Sequence, residues 1–261
     1  MRPKMAPPAN QVRYALYFAP PPEGDLWRFG CEVIGRDAGT DAPLDGFAPK
    51  GYSPDSWRSV TSDPRRYGFH ATLKAPFPLR LDLDVSDLFD TVAEFARKSA
   101  PFDAGELGVS AIAAGDGRAF VALTPEGPLK ELRSFEASVV RDLDRLRGPV
   151  ARAGRERLGP GGLTARQAYY RDAWGYPYVL DEFHPHFTLT NALSDAERVA
   201  RLLEWEFKLR VPSRALRVDA LTLFVEREPG GEFKILRRFP LGRPNRVRRS
   251  STRVLAPAVF D

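Results

Sequence analysis

Residues 183–190 read FHPHFTLT, and this stretch holds two of the three histidines in a chain of 261 residues. In a β-strand, successive side chains point to opposite faces of the sheet. One face would then carry His184, His186, Thr188 and Thr190, whereas the residues between them are apolar. The pattern therefore predicts a strand whose polar face presents imidazoles and hydroxyls.

The third histidine lies in a similar stretch, YGFHATLKAPF, at residues 67–77. His70, Thr72 and Lys74 alternate there with apolar residues, which predicts a second strand with one polar face. The pattern His-x-Thr-Leu thus occurs twice, and 116 positions separate its two histidines. The repetition predicts two similar lobes whose histidine strands share one cleft.

A doubled His-x-Thr pattern fits the cleavage of a phosphodiester. His70 and His186 are the candidate catalytic residues, because one imidazole can take a proton from the attacking group while the other protonates the leaving oxygen. The hydroxyls of Thr72 and Thr188 can donate hydrogen bonds to the phosphate oxygens, and Lys74 could neutralise charge that develops there. A solvated strand end is the alternative for Lys74.

The sequence also resembles a known family. The two His-x-Thr motifs and the chain length are similar to the 2H phosphoesterase superfamily. More narrowly, the stretches RYALYFAP, YGFHATLKAPF, WGYPYV and HFTLTNAL resemble a bacterial branch of unknown function, DUF1045, whose members are described as phosphonate-metabolism proteins. In that branch the position of His184 is often arginine, so this sequence departs from it there.

The resemblance implies an α+β fold with two pseudo-symmetric lobes, whose antiparallel sheets face a central cleft and whose helices lie outside. Residues 11–240 are expected to form this one bilobal domain, with lobes of about 11–125 and 126–240. A flexible leader at 1–10 and a basic flexible tail at 241–261 are expected to flank it.

The resemblance further implies a phosphodiesterase without metal or cofactor. It would act on a cyclic phosphate or small phosphodiester, such as a nucleotide or phosphorylated sugar. Three alternatives stay open. His184, His186 and His70 could instead form a zinc site, the cleft could bind a nucleotide or phosphometabolite without catalysis, or the enzyme could process RNA ends that carry a 2′,3′-cyclic phosphate.

The roles of three other candidate binding residues stay open. His184 shares the polar face with His186, but Gly68 stands at the corresponding place before His70, so both a phosphate contact and a structural role stay open. Tyr176 and Tyr178 in WGYPYV could stack on a base or sugar, or could pack in the core.

Composition limits the compartment and the partners. The net charge of +5 comes from the tail, which contributes +4, and from the leader, which contributes +2, so residues 11–240 carry about −1. A long RNA footprint is therefore not favoured. The single cysteine, Cys31, fits a reducing compartment, and no apolar stretch is long enough to span a membrane. We expect a cytoplasmic monomer whose partner is its small phosphorylated substrate.

Overall fold

Eight strands form one curled antiparallel sheet in the computed structural model of the chain, and both histidine motifs meet at its centre. The structure describes residues 12–149 and 162–242. The leader expected at 1–10 and all but the first two residues of the expected tail lie outside the described residues. The α+β class and the antiparallel pairing predicted for the chain are confirmed.

The strands and helices follow one another in a mixed order. The strands are β1 (Arg13–Phe18), β2 (Arg36–Asp37), β3 (Ala42–Pro43), β4 (Ala71–Pro78), β5 (Phe102–Ala113), β6 (Ala119–Glu126), β7 (Phe187–Thr188), β8 (Ala215–Val218), β9 (Ala220–Glu226) and β10 (Lys234–Pro240). The helices are α1 (Asp25–Ile34), α2 (Pro54–Val60), α3 (Ser62–Tyr67), α4 (Val85–Lys98), α5 (Lys130–Leu143), α6 (Ala165–Trp174) and α7 (Ala196–Arg210). Short 3-10 turns cover Asp144–Leu146 and Leu180–Glu182.

The order of strands in the sheet is β10-β9-β1-β4-β7-β6-β5-β8. The two motif strands, β4 and β7, are hydrogen-bonded neighbours, and the pair joins the two halves of the sheet. Each half combines early and late strands. In one half the hairpin of β9 and β10 pairs with β1, and in the other half β8 pairs with β5. A division near residue 125 therefore does not separate the two halves of the sheet.

The apolar residues of both motifs hold the sheet against its helices. Phe69 stacks on Phe187 with ring centroids 5.1 Å apart, and Trp27 of α1 meets the edge of Phe69. Phe29 of α1 contacts Phe207 of α7 in the same core. All five rings are buried. The apolar face of the two motif strands thus packs in the core, and their polar face is not used for this packing.

The strand predicted at residues 183–190 is much shorter than its alternation indicates, since β7 covers only Phe187–Thr188. Pro185 has no amide hydrogen to continue a ladder. Beyond β7, the amides of Leu189 and Thr190 both donate to the Val121 carbonyl, at 2.8 and 3.2 Å, which interrupts the regular pairing. The predicted burial nevertheless holds for Phe183, Pro185, Phe187 and Leu189, all of which are buried.

Candidate functional site

His70 is positioned by the end of α3. That helix stops at Gly68, whose φ of 80° lies in the left-handed region. The Gly68 carbonyl accepts a hydrogen bond from His70 Nδ1 at 2.8 Å. A neutral imidazole that donates from Nδ1 keeps a lone pair on Nε2. This nitrogen lies 3.2 Å from the Thr72 hydroxyl and is the atom available for proton transfer.

His186 is held in the same way. Its Nδ1 donates to the carbonyl of His184 at 2.7 Å, which again leaves Nε2 unprotonated in the neutral ring. The Phe120 ring of β6 supports the imidazole, with ring centroids 5.3 Å apart. Both candidate catalytic histidines therefore present the same nitrogen, although their supporting elements lie far apart in the sequence.

The register of β4 and β7 brings the two motifs together. Ala71 is paired with Phe187 in an antiparallel ladder, so His70 lies beside Thr188 and Thr72 lies beside His186. The two histidines are then diagonal neighbours, for which the backbone separation is about 7–8 Å. The sheet thus gathers two imidazoles and two hydroxyls into one group, which we call the His–Thr square.

Tyr17 of β1 forms the floor beneath His70. Its ring stacks on the imidazole with centroids 3.7 Å apart and an angle of 19° between the planes. Tyr17 is paired with Thr72 across the ladder, so it lies on the polar face of β4. Sequence reasoning missed this residue, although it alternates with the apolar Leu16 and Phe18 in RYALYF.

The electrostatics of the site favour neutral imidazoles. Burial lowers the pKa of His70 to about 4, because a charged ring would lose its hydration. The bond to the Gly68 carbonyl opposes this shift, and the proximity of His186 adds to it. Burial also lowers the pKa of His186. Both rings can therefore accept a proton at neutral pH, and a bound anion would raise both pKa values.

One of the two predicted aromatic residues, Tyr176, lies near this floor. Burial raises the pKa of Tyr17, and Tyr67 and Tyr176 lie near enough to add to the shift. Tyr176 contacts Tyr178 edge-on, with centroids 5.5 Å apart. Tyr178 is 39% exposed, which leaves it free to contact a ligand.

Lys74 is not brought to the imidazoles. Strict alternation places it on the face of Thr72, but the register with β1 shifts between the pairs Leu16–Lys74 and Tyr17–Thr72. Such an irregularity redirects a side chain. The buried ammonium of Lys74 donates to the Asp144 carboxylate at 2.8 Å. The expected contact of Lys74 with phosphate is therefore corrected to a buried ion pair with α5 and its C-terminal turn.

His184 and Thr190 have different environments. His184 is exposed and its Nδ1 bonds to the Glu182 carbonyl at 2.8 Å. It lies near enough to His186 to lower the pKa of that residue. Thr190 is buried, accepts from the Val121 amide at 3.0 Å and donates to the Asn191 carbonyl. Thr190 is thus structural, whereas His184 stands at the open rim of the site.

Neither a metal cluster nor a spanning helix is found in the described ranges. Within residues 12–149 and 162–242, no three His, Cys, Asp or Glu side chains are grouped as a metal site would require. Over the same ranges, no helix is both long and apolar enough to cross a bilayer.

The chain is similar to one family and to curated relatives. Residues 72–234 match the family described as "Protein of unknown function (DUF1045)", which confirms the narrower resemblance seen in the sequence. The chain is 32% identical over 236 residues to "Ribose 1,5-bisphosphate phosphokinase PhnN" of Janthinobacterium sp. (strain Marseille), covering 88% of this chain and 51% of the relative. The protein of the same name from Laribacter hongkongensis (strain HLHK9) is 32% identical over 234 residues, with 87% and 51% covered. The chain thus spans about half the length of these relatives.

A solved structure shows a distant likeness. E. coli LigT complexed with 3′-AMP aligns with 89% of this chain and 98% of its own, at 16% identity and a TM-score of 0.40.

Proposed function

The chain belongs to the DUF1045 family, and from that premise we propose that it is a metal-independent phosphodiesterase. Its substrate would be a cyclic phosphate or small phosphodiester of a nucleotide or phosphorylated sugar, within phosphonate metabolism. The observation that carries the proposal is the His–Thr square, in which His70 and His186 both present an unprotonated Nε2. Two proton carriers on one phosphate are what an in-line displacement requires.

We assign the base to His70 and the acid to His186. Burial lowers the pKa of His70 to about 4, so this ring is neutral when a water molecule arrives. His70 Nε2 takes a proton from this water, and the water oxygen forms the new bond to phosphorus. The bond from phosphorus to the leaving oxygen breaks, and this oxygen takes its proton from His186 Nε2, which solvent protonated when the anionic substrate bound and raised the pKa of this ring. The product is a phosphomonoester, and solvent returns both rings to their starting states.

The other members of the site bind and orient the substrate. The hydroxyls of Thr72 and Thr188 donate to the non-bridging oxygens, whose charge grows as the attacking oxygen approaches. This charge also raises the pKa of His186 and keeps its proton in place until the leaving oxygen needs it. Tyr176 and Tyr178 flank the base or sugar. His184 at the rim is proposed as a weaker contact with the phosphate.

The names of the relatives suggest the substrate class. Those proteins are named for a kinase that acts on a ribose bisphosphate, but they are about twice as long as the matched region. We therefore take from the name only that a phosphorylated ribose is the first sugar to test.

The test is a turnover screen in the presence of excess chelator. The substrates are 2′,3′-cyclic nucleotides, cyclic sugar phosphates and 2′,5′-linked dinucleotides. We expect one class to be cleaved without metal, and we expect His70→Ala and His186→Ala each to lower kcat at least about 100-fold. The double variant should lose far less than the product of the single losses, because the two residues act as a unit.

Three results would contradict the proposal. One is activity that depends on added zinc, and another is full turnover by either single histidine variant whose fold is intact by thermal denaturation. The third is tight binding of a phosphometabolite without turnover of any substrate, which would instead indicate a binding protein.

Thr72→Val and Thr188→Val should cause smaller losses of kcat than the histidine variants, since each removes one hydroxyl and keeps the shape of the side chain.

A further inference from the structure

A second charged group lies beside the site and is not used by the chemistry described above. Arg13 and Arg66 converge on the carboxylate of Glu226, which is fully buried. Arg13 donates from Nη2 at 2.7 Å and also from Nε, and Arg66 donates from Nη2 at 2.6 Å. Arg66 Nε binds the Gly231 carbonyl at 3.0 Å. We call these three residues the arginine pair and its carboxylate.

The arginine pair is connected to the His–Thr square through aromatic rings. The Arg66 guanidinium lies 5.0 Å from the centre of the Tyr67 ring, and the centres of the Tyr67 and His70 rings are 6.4 Å apart. Arg13 lies close enough to Tyr17, the floor under His70, to lower the pKa of that phenol. The Tyr67 ring therefore lies between the Arg66 guanidinium and the imidazole of His70, the candidate catalytic histidine.

The charges in this group do not cancel. Two guanidiniums share one carboxylate, which leaves one positive charge next to the site. Among the described residues, Nη1 of Arg13 and Nη1 of Arg66 have no hydrogen-bond partner. The two side chains are 35% and 23% exposed, so neither arginine is sealed from solvent. One arginine would suffice to neutralise the charge of Glu226, so the second adds positive charge beyond what this neutralisation needs.

We infer that Arg13 and Arg66 bind a second phosphoryl group of the substrate, one that is not cleaved. The inference rests on the proposed function and deepens it, because it defines the substrate as a phosphodiester that also carries a phosphomonoester. Guanidinium groups suit this ligand, since their planar donors match phosphate oxygens and stay charged at every working pH. Glu226 acts as a positioning residue, because it fixes the orientation of both guanidiniums.

The kinetic test compares two substrates that differ only in the second phosphate. These are adenosine 2′,3′-cyclic phosphate and the same compound with a 5′-phosphate. We expect the full chain to prefer the 5′-phosphorylated compound by at least about tenfold in kcat/KM. Arg66→Gln should remove most of this preference while leaving kcat/KM for the unphosphorylated compound unchanged, and Arg66→Lys should keep part of it.

A purely structural role predicts a different result. If the arginine pair only joins β1, β9 and α3, Arg66→Gln lowers turnover of both substrates equally, which would overturn the inference. Equal use of both substrates by the wild type would overturn it as well. Arg217→Gln is the matched control, since Arg217 lies on β8 at the opposite edge of the sheet and pairs with Asp103 of β5. Both substrates should be unaffected in this variant.

A binding measurement separates this inference from the proposed function. Calorimetry with adenosine 3′,5′-bisphosphate and adenosine 3′-phosphate requires no turnover. A gain of at least about tenfold from the 5′-phosphate, lost in Arg66→Gln, supports the inference even if neither diester is cleaved. No gain in the wild type overturns it, whatever the outcome of the turnover screen.

Discussion

The imidazole of His70 lies flat on the phenol ring of Tyr17, with ring centroids 3.7 Å apart. This contact joins the first strand of the chain to the first His-x-Thr motif. Tyr17 is 1% exposed, and its backbone is paired with Thr72 on one side and Thr222 on the other. Two contacts therefore fix the ring orientation of His70, namely the stack on Tyr17 and the hydrogen bond from Nδ1 to the Gly68 carbonyl.

Removal of the Tyr17 ring should release His70. An aromatic pair contributes about 0.5–1.5 kcal/mol beyond its buried area, so we expect Tyr17→Leu to lower kcat roughly tenfold. Tyr17→Phe keeps the stacking and should retain most of the activity. Steady-state kinetics on the substrate found in the screen gives the comparison. Equal losses in both variants would show that the hydroxyl matters and the stacking does not.

The low pKa of His70 should appear in the pH dependence of stability. Burial holds the pKa at about 4, below the reference of 6.5. Between these values the unfolded chain binds a proton that the folded protein does not, so the free energy of unfolding falls as the pH drops from 6.5 to 4. We expect this residue to contribute on the order of 1–2 kcal/mol to the fall after allowance for solvent screening.

Urea titrations at several pH values measure this effect, and His70→Phe should flatten the curve in that window. NMR titration of the imidazole reports the pKa directly. The acid limb of kcat/KM for the free enzyme should likewise lie below 6.5, because His70 stays neutral there. An NMR pKa of 6.5 or above would contradict the burial argument.

Gly68 should be intolerant of any side chain. Its φ is 80°, and a β-carbon there would lie 2.5 Å from the Ala38 β-carbon. We expect Gly68→Ala to destabilise the fold by about 2–4 kcal/mol, the combined cost of strain and overlap, and to lower kcat by displacing the carbonyl that holds His70. Chemical denaturation and kinetics measure the two effects.

Gly117 is the matched control, since it has the same φ of 80° with open space around it. Gly117→Ala should cost about 1 kcal/mol from backbone strain alone and should leave kcat unchanged. Equal destabilisation by the two substitutions would exclude the overlap with Ala38 as the cause.

Lys74 should matter for stability rather than for phosphate binding. Its buried ammonium pairs with Asp144, which Arg147 also holds at 2.8 Å. Removal of one partner of a buried pair costs about 3–5 kcal/mol. We expect Lys74→Met to lower the free energy of unfolding by about 3 kcal/mol, at the low end of this range, because Arg147 still compensates the carboxylate. Lys98→Met removes an exposed pair with Glu94 and should have little effect on stability, because solvent screens such a pair.

Substrate KM separates the two roles of Lys74. At a temperature where Lys74→Met is folded, KM should match the wild type, as measured by initial rates. A large rise in KM in the folded variant would return Lys74 to the phosphate site.

The local properties of this protein follow from its amino-acid sequence alone. The face to which His70, Thr72, His186 and Thr188 point follows from the two-residue period of an extended backbone, and the burial of Phe187 and its apolar neighbours follows from the same period. The repeated motif and its flanking residues were also enough to recognise the DUF1045 family. None of these properties depends on which strands become neighbours.

Which residues come into contact depends on the complete fold. The pairing of Ala71 with Phe187, the stack of Tyr17 on His70 and the bond from Arg13 to Glu226 join positions far apart in the chain. Strand order is a property of the whole sheet, so no local period encodes it. Lys74 shows the same limit, because a register shift against β1 turned it away from the face that alternation assigned to it. Periodicity predicts the direction of a side chain only while the ladder stays regular.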